Sequence, residues 1–236
     1  MSRHAGLFGA GGSHLARYAT RFDAVEINSS FYRPHAPETY ARWAASVPVD
    51  FRFSVKLPRA ITHDARLQRT GEALSRFVDE VSGLGRRLGG VLVQLPPSLA
   101  FDARIASTFF ASLRRRLDAP LACEPRHASW FDAGVDAIWR RYRVARVAAD
   151  PARLPEAAQP GGGGRWRYWR LHGSPRMYYD AYDDARLRAL ATQLRTGAGP
   201  GQSTWCIFDN TAGGHAVADA ARLQQMLAEG AGGTRG

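Results

Sequence analysis

Short apolar runs alternate with amphipathic stretches along almost the whole chain, and this alternation restricts the fold more than any other feature. The runs are Ala24–Asn28, Phe51–Leu57, Gly90–Leu95, Leu121–Glu124, Val144–Ala149, Arg167–Leu171 and Thr204–Phe208. Their length and their β-branched and aromatic content predict strands. Between them, His14–Tyr18, Pro37–Ala45, Gly71–Leu84, Ala103–Leu117, Ala133–Tyr142, Asp183–Thr196 and Ala216–Glu229 space apolar residues as helices do. Strand followed by helix, repeated, means a parallel sheet covered by its crossovers. The class is α/β, and the number of units favours a TIM-like parallel β/α barrel over an open sheet. No glycine-rich dinucleotide fingerprint follows any strand. Seven strands are one fewer than a complete barrel needs, and Leu7-Phe8 offers only a fragment of the eighth. Gly161–Gly164 and Gly197–Gly201 read as surface loops. Residues 1–229 read as one domain and 230–236 as a flexible tail.

Side chains alternate in direction along a strand, so parity assigns faces. Val25 and Ile27 share one face, Glu26 and Asn28 the other. Phe53, Val55 and Leu57 oppose Arg52, Ser54 and Lys56; Val93 and Leu95 oppose Gln94; Cys123 opposes Glu124. With the apolar parity packed on helices, Glu26, Asn28, Lys56, Gln94 and Glu124 point inward and gather at one mouth, where barrels of this type place their chemistry. Later strands add Asp150, Arg170, His172, Asp209 and Asn210.

Composition sharpens this choice of residues. The formal charge is +11, yet among 32 basic residues only Lys56 is a lysine, and Asn28 and Asn210 are the only asparagines. An arginine-rich, lysine-poor chain reflects coding bias as readily as an anionic partner. A residue kept against that bias sits where its substitute fails: arginine cannot replace an ammonium whose pKa moves. The start, Met1–Gly6, lacks an apolar signal stretch, and no run is long enough to cross a bilayer, which together predict a cytoplasmic protein without a membrane partner. Cys123 and Cys206 lie in separate strand-like runs and read as core residues, not as a disulfide.

Several ordered motifs carry a resemblance. Val25-Glu26-Ile27-Asn28-Ser29-Ser30-Phe31-Tyr32 is followed by Phe51–Lys56 with Ile61-Thr62-His63, then by Val93-Gln94-Leu95-Pro96-Pro97-Ser98. Glu124-Pro125-Arg126-His127 with Ser129-Trp130, Arg170-Leu171-His172-Gly173 and Phe208-Asp209-Asn210-Thr211-Ala212 complete the set. From about residue 18 to 225 the chain resembles the DUF72 (YecE-like) family. The resemblance implies a TIM-like barrel and no particular activity. Members usually open with a short Gly-Thr-Ser-Gly-Trp strand, which has no counterpart before Leu7. The resulting gap beside the Ala24 strand then needs cover from another segment or a partner chain.

The mouth suggests an enzyme acting on a phosphorylated or sugar-like molecule. Glu26 and Glu124 serve as candidate base and acid, with Lys56 between them separating their pKa values, stabilising an oxyanion or forming a Schiff base. Asn28, Gln94 and Asn210 are placed to orient hydroxyls, Gly213 and Gly214 to hold a phosphate at the last helix. Tyr32, His63, Arg126, His127, Asp150, Arg170, His172, Tyr178 and Asp209 complete the candidate binding set. The alternative is a nucleic-acid-binding protein, possibly nuclease-like, with Phe31, Tyr32, Trp130, Phe131, Tyr178, Tyr179 and Tyr182 stacking bases beside Arg33, Arg59, Arg126 and Arg176. Glu26, Glu124, His127, Asp150, His172 and Asp209 are metal-ligand types, but no paired-histidine spacing accompanies them and a nearby ammonium opposes a cation. No cofactor is therefore expected, and a divalent metal is not favoured. The oligomeric state stays open.

Overall fold

Alternation along the strands sends apolar residues to both sides of one curved sheet, and three separate clusters result. The computed structural model describes residues 2–197, 199 and 201–232. Its strands are β1 (Ala24–Ile27), β2 (Arg52–Lys56), β3 (Leu88–Gln94), β4 (Leu121–Glu124), β5 (Val144–Arg146), β6 (Ala148–Asp150), β7 (Gly161–Gly162), β8 (Trp166–Leu171) and β9 (Ser203–Phe208). Strands β1 to β5 pair in sequence order, all parallel. Strands β6, β8 and β9 form a second parallel run. The two runs are joined through Val147, whose N–H donates to Cys123 O at 2.8 Å. The predicted strand Val144–Ala149 is thus one extended segment that pairs with β4 in its first half and β8 in its second. The fold is α/β with a mostly parallel sheet.

The helices are α1 (His14–Tyr18), α2 (Pro37–Ala45), α3 (Gly71–Val81), α4 (Ala103–Arg116), α5 (Asp136–Arg141), α6 (Asp184–Thr196) and α7 (Ala216–Gly232). Ser13, Asp102 and Asp183 cap α1, α4 and α6 by accepting backbone N–H bonds from Ala16, Ile105 and Arg186, which satisfies donors that a helix start leaves free. The apolar parity of β1–β5, including Val55, Val93 and Cys123, packs against α2–α5. Trp169 and Leu171 pack against Leu187, Leu190 and Leu223 of α6 and α7. The opposite parity makes the inner cluster of Leu92, Ala122, Ala145, Val147, Trp166 and Tyr168, with Trp205 and Ile207 against it. Gly90 is required there, because a Cβ on it would lie 2.5 Å from the Trp166 ring.

Three expectations are corrected. Leu7-Phe8 adds no strand; Ser2–Leu7 winds as a short 3-10 segment. Gly161–Gly162 pairs antiparallel with β5 instead of remaining a loop. Gly162 lies at φ +82° and a Cβ there would stand 2.5 Å from Val144 O, so the pairing depends on glycine. Helix α7 continues to Gly232, past the expected boundary at 229; residues 233–236, with Ala198 and Pro200 of the second glycine-rich loop, lie outside the described residues. Both cysteines are free, Cys123 buried and Cys206 partly so. Among the described residues no helix is long and apolar enough to cross a membrane.

Candidate functional site at the strand ends

Tyr168 and Arg170 occupy the same parity of β8, two residues apart, and both reach across the inner side of the sheet to Glu26 on β1. Tyr168 Oη donates to Glu26 Oε2 at 2.7 Å and lies 3.0 Å from Ser54 Oγ. Arg170 Nη2 donates to Glu26 Oε1 at 2.8 Å, and Nε lies 3.2 Å from both carboxylate oxygens. The remaining Arg170 donors reach Glu124 Oε2 at 2.7 Å and Asp209 Oδ2 at 2.6 Å. Strands far apart in sheet order are thereby tied together, so the sheet curls until β1 faces β8. Arg170 is 1% exposed. A buried guanidinium costs several kcal/mol unless its charge and its forked donors are matched. Three carboxylates match them here.

Glu124 is equally committed. Gln94 Nε2 donates to both its oxygens at 3.1–3.2 Å, and Arg126 donates to Oε1 at 2.8 Å. Burial pushes this carboxyl upward, but Arg170, His172 and Arg126 outweigh burial and hold it well below the usual carboxylate range. This revises the expected division of labour. Glu124 does not carry a proton at neutral pH, and the cation that organises Glu26 and Glu124 is Arg170, not Lys56. The two acids hold Arg170 in place.

Lys56 stands apart. Its Nζ lies 4.0 Å above the Phe31 ring, an arrangement that attracts a cation through the ring's negative face. Among the described residues it forms no ion pair within 4.0 Å. Burial lowers its pKa to about 8, helped by Arg170 and only partly opposed by Glu26 and Glu124. The His63 ring stands edge-on to that of Phe31, 5.0 Å away. Its pKa is lowered by burial and by Lys56.

His172 completes the centre. Nδ1 lies 3.1 Å from Asp209 Oδ2, while Nε2 stays 3.7 Å from Glu124 Oε1, buried and without a hydrogen-bond partner. Burial lowers its pKa, but the contact with Asp209 and the nearby Glu124 carboxylate leave it raised overall. Glu124, Arg126 and His172 line a small cleft with Arg153 and Met177. Tyr178, at φ +71°, sets its ring 5.5 Å from His172.

Other candidates lie elsewhere. Asn210 is fully buried; its Nδ2 donates to Asp180 O and Asp219 Oδ2 and so braces α7, while Oδ1 has no partner among the described residues. His127 caps Ala128–Phe131 through Ser129. Asp150 pairs with Arg186. Gly213 and Gly214 form a turn closed by Gly214 N–H to Thr211 O at 3.0 Å. Asn28 lines the cleft between β1 and β9. Tyr32, 79% exposed, lines a different cleft against α3. Phe31, Trp130 and Tyr182 of the expected stacking rings are buried, whereas Tyr32, Tyr178 and Tyr179 are exposed. Among the described residues no three His, Cys, Asp or Glu side chains form a metal-holding group. Tyr168 and Ser54 were missed, although their parity matched that of Arg170 and Lys56.

The profile of the family described as "Protein of unknown function DUF72" matches residues 8–235. The chain belongs to the DUF72 family. UPF0759 protein YecE of Escherichia coli K12 is 37% identical over 82 residues, 35% of this chain and 30% of that protein. UPF0759 protein YunF of Bacillus subtilis is 28% identical over 125 residues, half of this chain and 44% of its own. The matched stretches thus span less than half of either relative. Solved DUF72 family proteins show the same fold. That of Enterococcus faecalis V583 superposes with a TM-score of 0.79 at 21% identity, covering 96% of this chain and 92% of its own. That of Thermotoga maritima MSB8 gives 0.74 at 24% identity, covering 88% and 85%.

Proposed function

We propose that this DUF72 protein is an enzyme built on a β/α barrel, with Lys56 as the reacting amine toward a carbonyl-bearing, sugar-like or phosphorylated molecule. The observation that carries the reading is the state of Lys56: a lone lysine at a strand end, desolvated, with no carboxylate within 4.0 Å among the described residues, its pKa lowered to about 8. An amine reacts only when neutral, and near pH 8 about half of such a group is. Attack on a carbonyl carbon gives a carbinolamine; loss of water, which needs a proton on the departing hydroxyl, gives the imine. His172, its pKa raised by Asp209 and Glu124 and its Nε2 without a hydrogen-bond partner among the described residues, is the candidate proton donor of this site. Arg126 and Arg153, on the cleft beside it, suit an anionic end of the substrate. The fixed carboxylates keep Arg170 rigid and supply the negative charge that a polar ligand's hydroxyls would meet.

Nothing in the arrangement specifically favours the nucleic-acid alternative. The test is reductive trapping. Incubation with borohydride and a panel of keto acids, aldoses, ketoses and their phosphates should attach one of these compounds to Lys56, found by peptide mass. Lys56→Met should lose the adduct while keeping its fold. Trapping with no member of the panel, or equal trapping on the unfolded chain, would contradict the reading.

A further inference from the structure

The small cleft beside His172 opens between the C-terminal ends of β4, β6 and β8, and its deep and shallow parts differ in chemistry. Glu124 and His172, 2% and 1% exposed, form its floor with Arg126. Phe131, Leu154 and Met177 give it an apolar wall, and Arg153 stands exposed at the rim. Glu124 has no capacity left for a ligand: Gln94 donates to both its oxygens, Arg126 to Oε1 and Arg170 to Oε2. The cationic groups are not used up. Arg126 gives Nε and Nη2 to Glu124, both at 2.8 Å, and its Nη1 meets no acid among the described residues. An ionised carboxylate only accepts, so His172 Nδ1 carries a proton toward Asp209. In the charged ring Nε2 is a second donor, and it is buried without a partner. The raised pKa of His172 favours that charged form. A buried donor left unmatched is costly, and acceptor oxygens of a ligand would relieve it.

Size narrows the choice of anion. The room open to the centre of a water-sized group is about 20 Å³. A single water needs about 10–15 Å³ of such room. One or two oxygen atoms therefore fit on the floor, as a carboxylate offers them. The tetrahedron of a phosphoryl group does not. The apolar wall then meets whatever the carboxylate carries, which limits that part to a short carbon chain.

We propose that this cleft is a carboxylate subsite and that its ligand is a short-chain 2-oxo acid. The carboxylate lies on Arg126 Nη1 and His172 Nε2, Arg153 reaches it from the rim, and the chain packs on Phe131, Leu154 and Met177. In a 2-oxo acid the C2 oxygen lies beside one carboxylate oxygen, so a single N–H serves both. The choice of an oxo acid rests on the role proposed for Lys56; the carboxylate subsite does not. In that reaction the Lys56 nitrogen bonds to C2, and the C2 oxygen takes one amine proton to become a hydroxyl. The C2–oxygen bond then breaks. The hydroxyl leaves as water with the proton of His172 Nε2, His172 is left neutral, and the nitrogen keeps the positive charge as a protonated imine.

The experiment separates the two claims. Propionate, propionamide and inorganic phosphate are titrated at constant ionic strength into the full chain and into Lys56→Met, with the His172 ring followed by NMR. Propionate should shift the ring signals saturably in both proteins. It should bind roughly tenfold more tightly than the neutral amide or phosphate. Arg153→Met, a change at an exposed position, should weaken propionate about fivefold. Pyruvate and hydroxyacetone are then compared in borohydride trapping on Lys56, where pyruvate should react roughly tenfold faster. Propionate binding no tighter than propionamide or phosphate, or unchanged in Arg153→Met, would overturn the subsite. Propionate bound as expected with no pyruvate trapped would support the subsite and overturn the oxo acid together with the role of Lys56. Equal trapping of the two ketones would support the amine and overturn selection by the carboxylate.

Discussion

Arg170 donates to Glu26, Glu124 and Asp209 from a place water does not reach. Replacing it with Met leaves Glu26 without an ion pair among the described residues and takes one cation from Glu124 and Asp209. Breaking a buried pair from one side costs about 3–5 kcal/mol, so Arg170→Met should lower stability by at least that much in urea unfolding. Arg170→Lys should recover little of it, since a point charge cannot reproduce the fork that reaches three acids. A loss below about 1 kcal/mol would contradict the role given to Arg170. Glu26, Gln94 and Glu124 were legible in the sequence because parity puts them on the inner side at strand ends. Their roles were not. Parity says which way a side chain points, not which partner it meets, and Arg170 comes from a strand more than a hundred residues from Glu26. Asn210 shows the same limit: it stands at a strand end as read, but that Asp219 on the following helix takes its Nδ2 is not written in the strand.

Strand β3 shows how packing at the element scale fixes small residues. Gly90 leaves the room into which Trp166 of β8 projects. Gly90→Ala would force a Cβ to 2.5 Å from that ring, and overpacking of this kind costs about 1–3 kcal/mol. Denaturant unfolding of the variant should show that loss, with the Lys56 environment preserved. An unchanged midpoint would mean that Trp166 moves freely, and the inner cluster would be looser than described. All seven apolar runs proved to be strands because each combines strand length with strand-forming residues, and β2, β3, β4 and β8 are buried along almost their whole length. The junction at Val147 and the Gly161–Gly162 pairing were not legible. Both depend on which neighbour an edge finds, and no local pattern records that.

At the scale of the whole molecule, the charge of +11 includes arginines that serve the fold. Arg114, for example, is spent on the carbonyls of Ala119, Tyr142 and Arg143. The central cluster is close to balanced instead: Glu26, Glu124 and Asp209 against Arg170, Arg126 and Lys56. Lys56 is the member without a direct ion pair, and its low pKa follows from burial in that balanced field. The curved sheet makes this possible by setting β1, β2, β4, β8 and β9 around one opening. Strands β1 and β9 do not pair with each other among the described residues, and a cleft between them borders the opening.

The central claim is that Lys56 loses its proton far more readily than an ordinary lysine. Because it is the chain's single lysine, acylation by a small amine reagent, read at the Lys56 peptide by mass spectrometry, reports it apart from the amino terminus. The rate follows the neutral fraction, rising with pH and levelling off above the pKa. In the folded protein the half-maximal rate should fall near pH 8, and in the urea-unfolded chain near 10.5, the ordinary value. A folded-state midpoint near 10.5 would contradict the account.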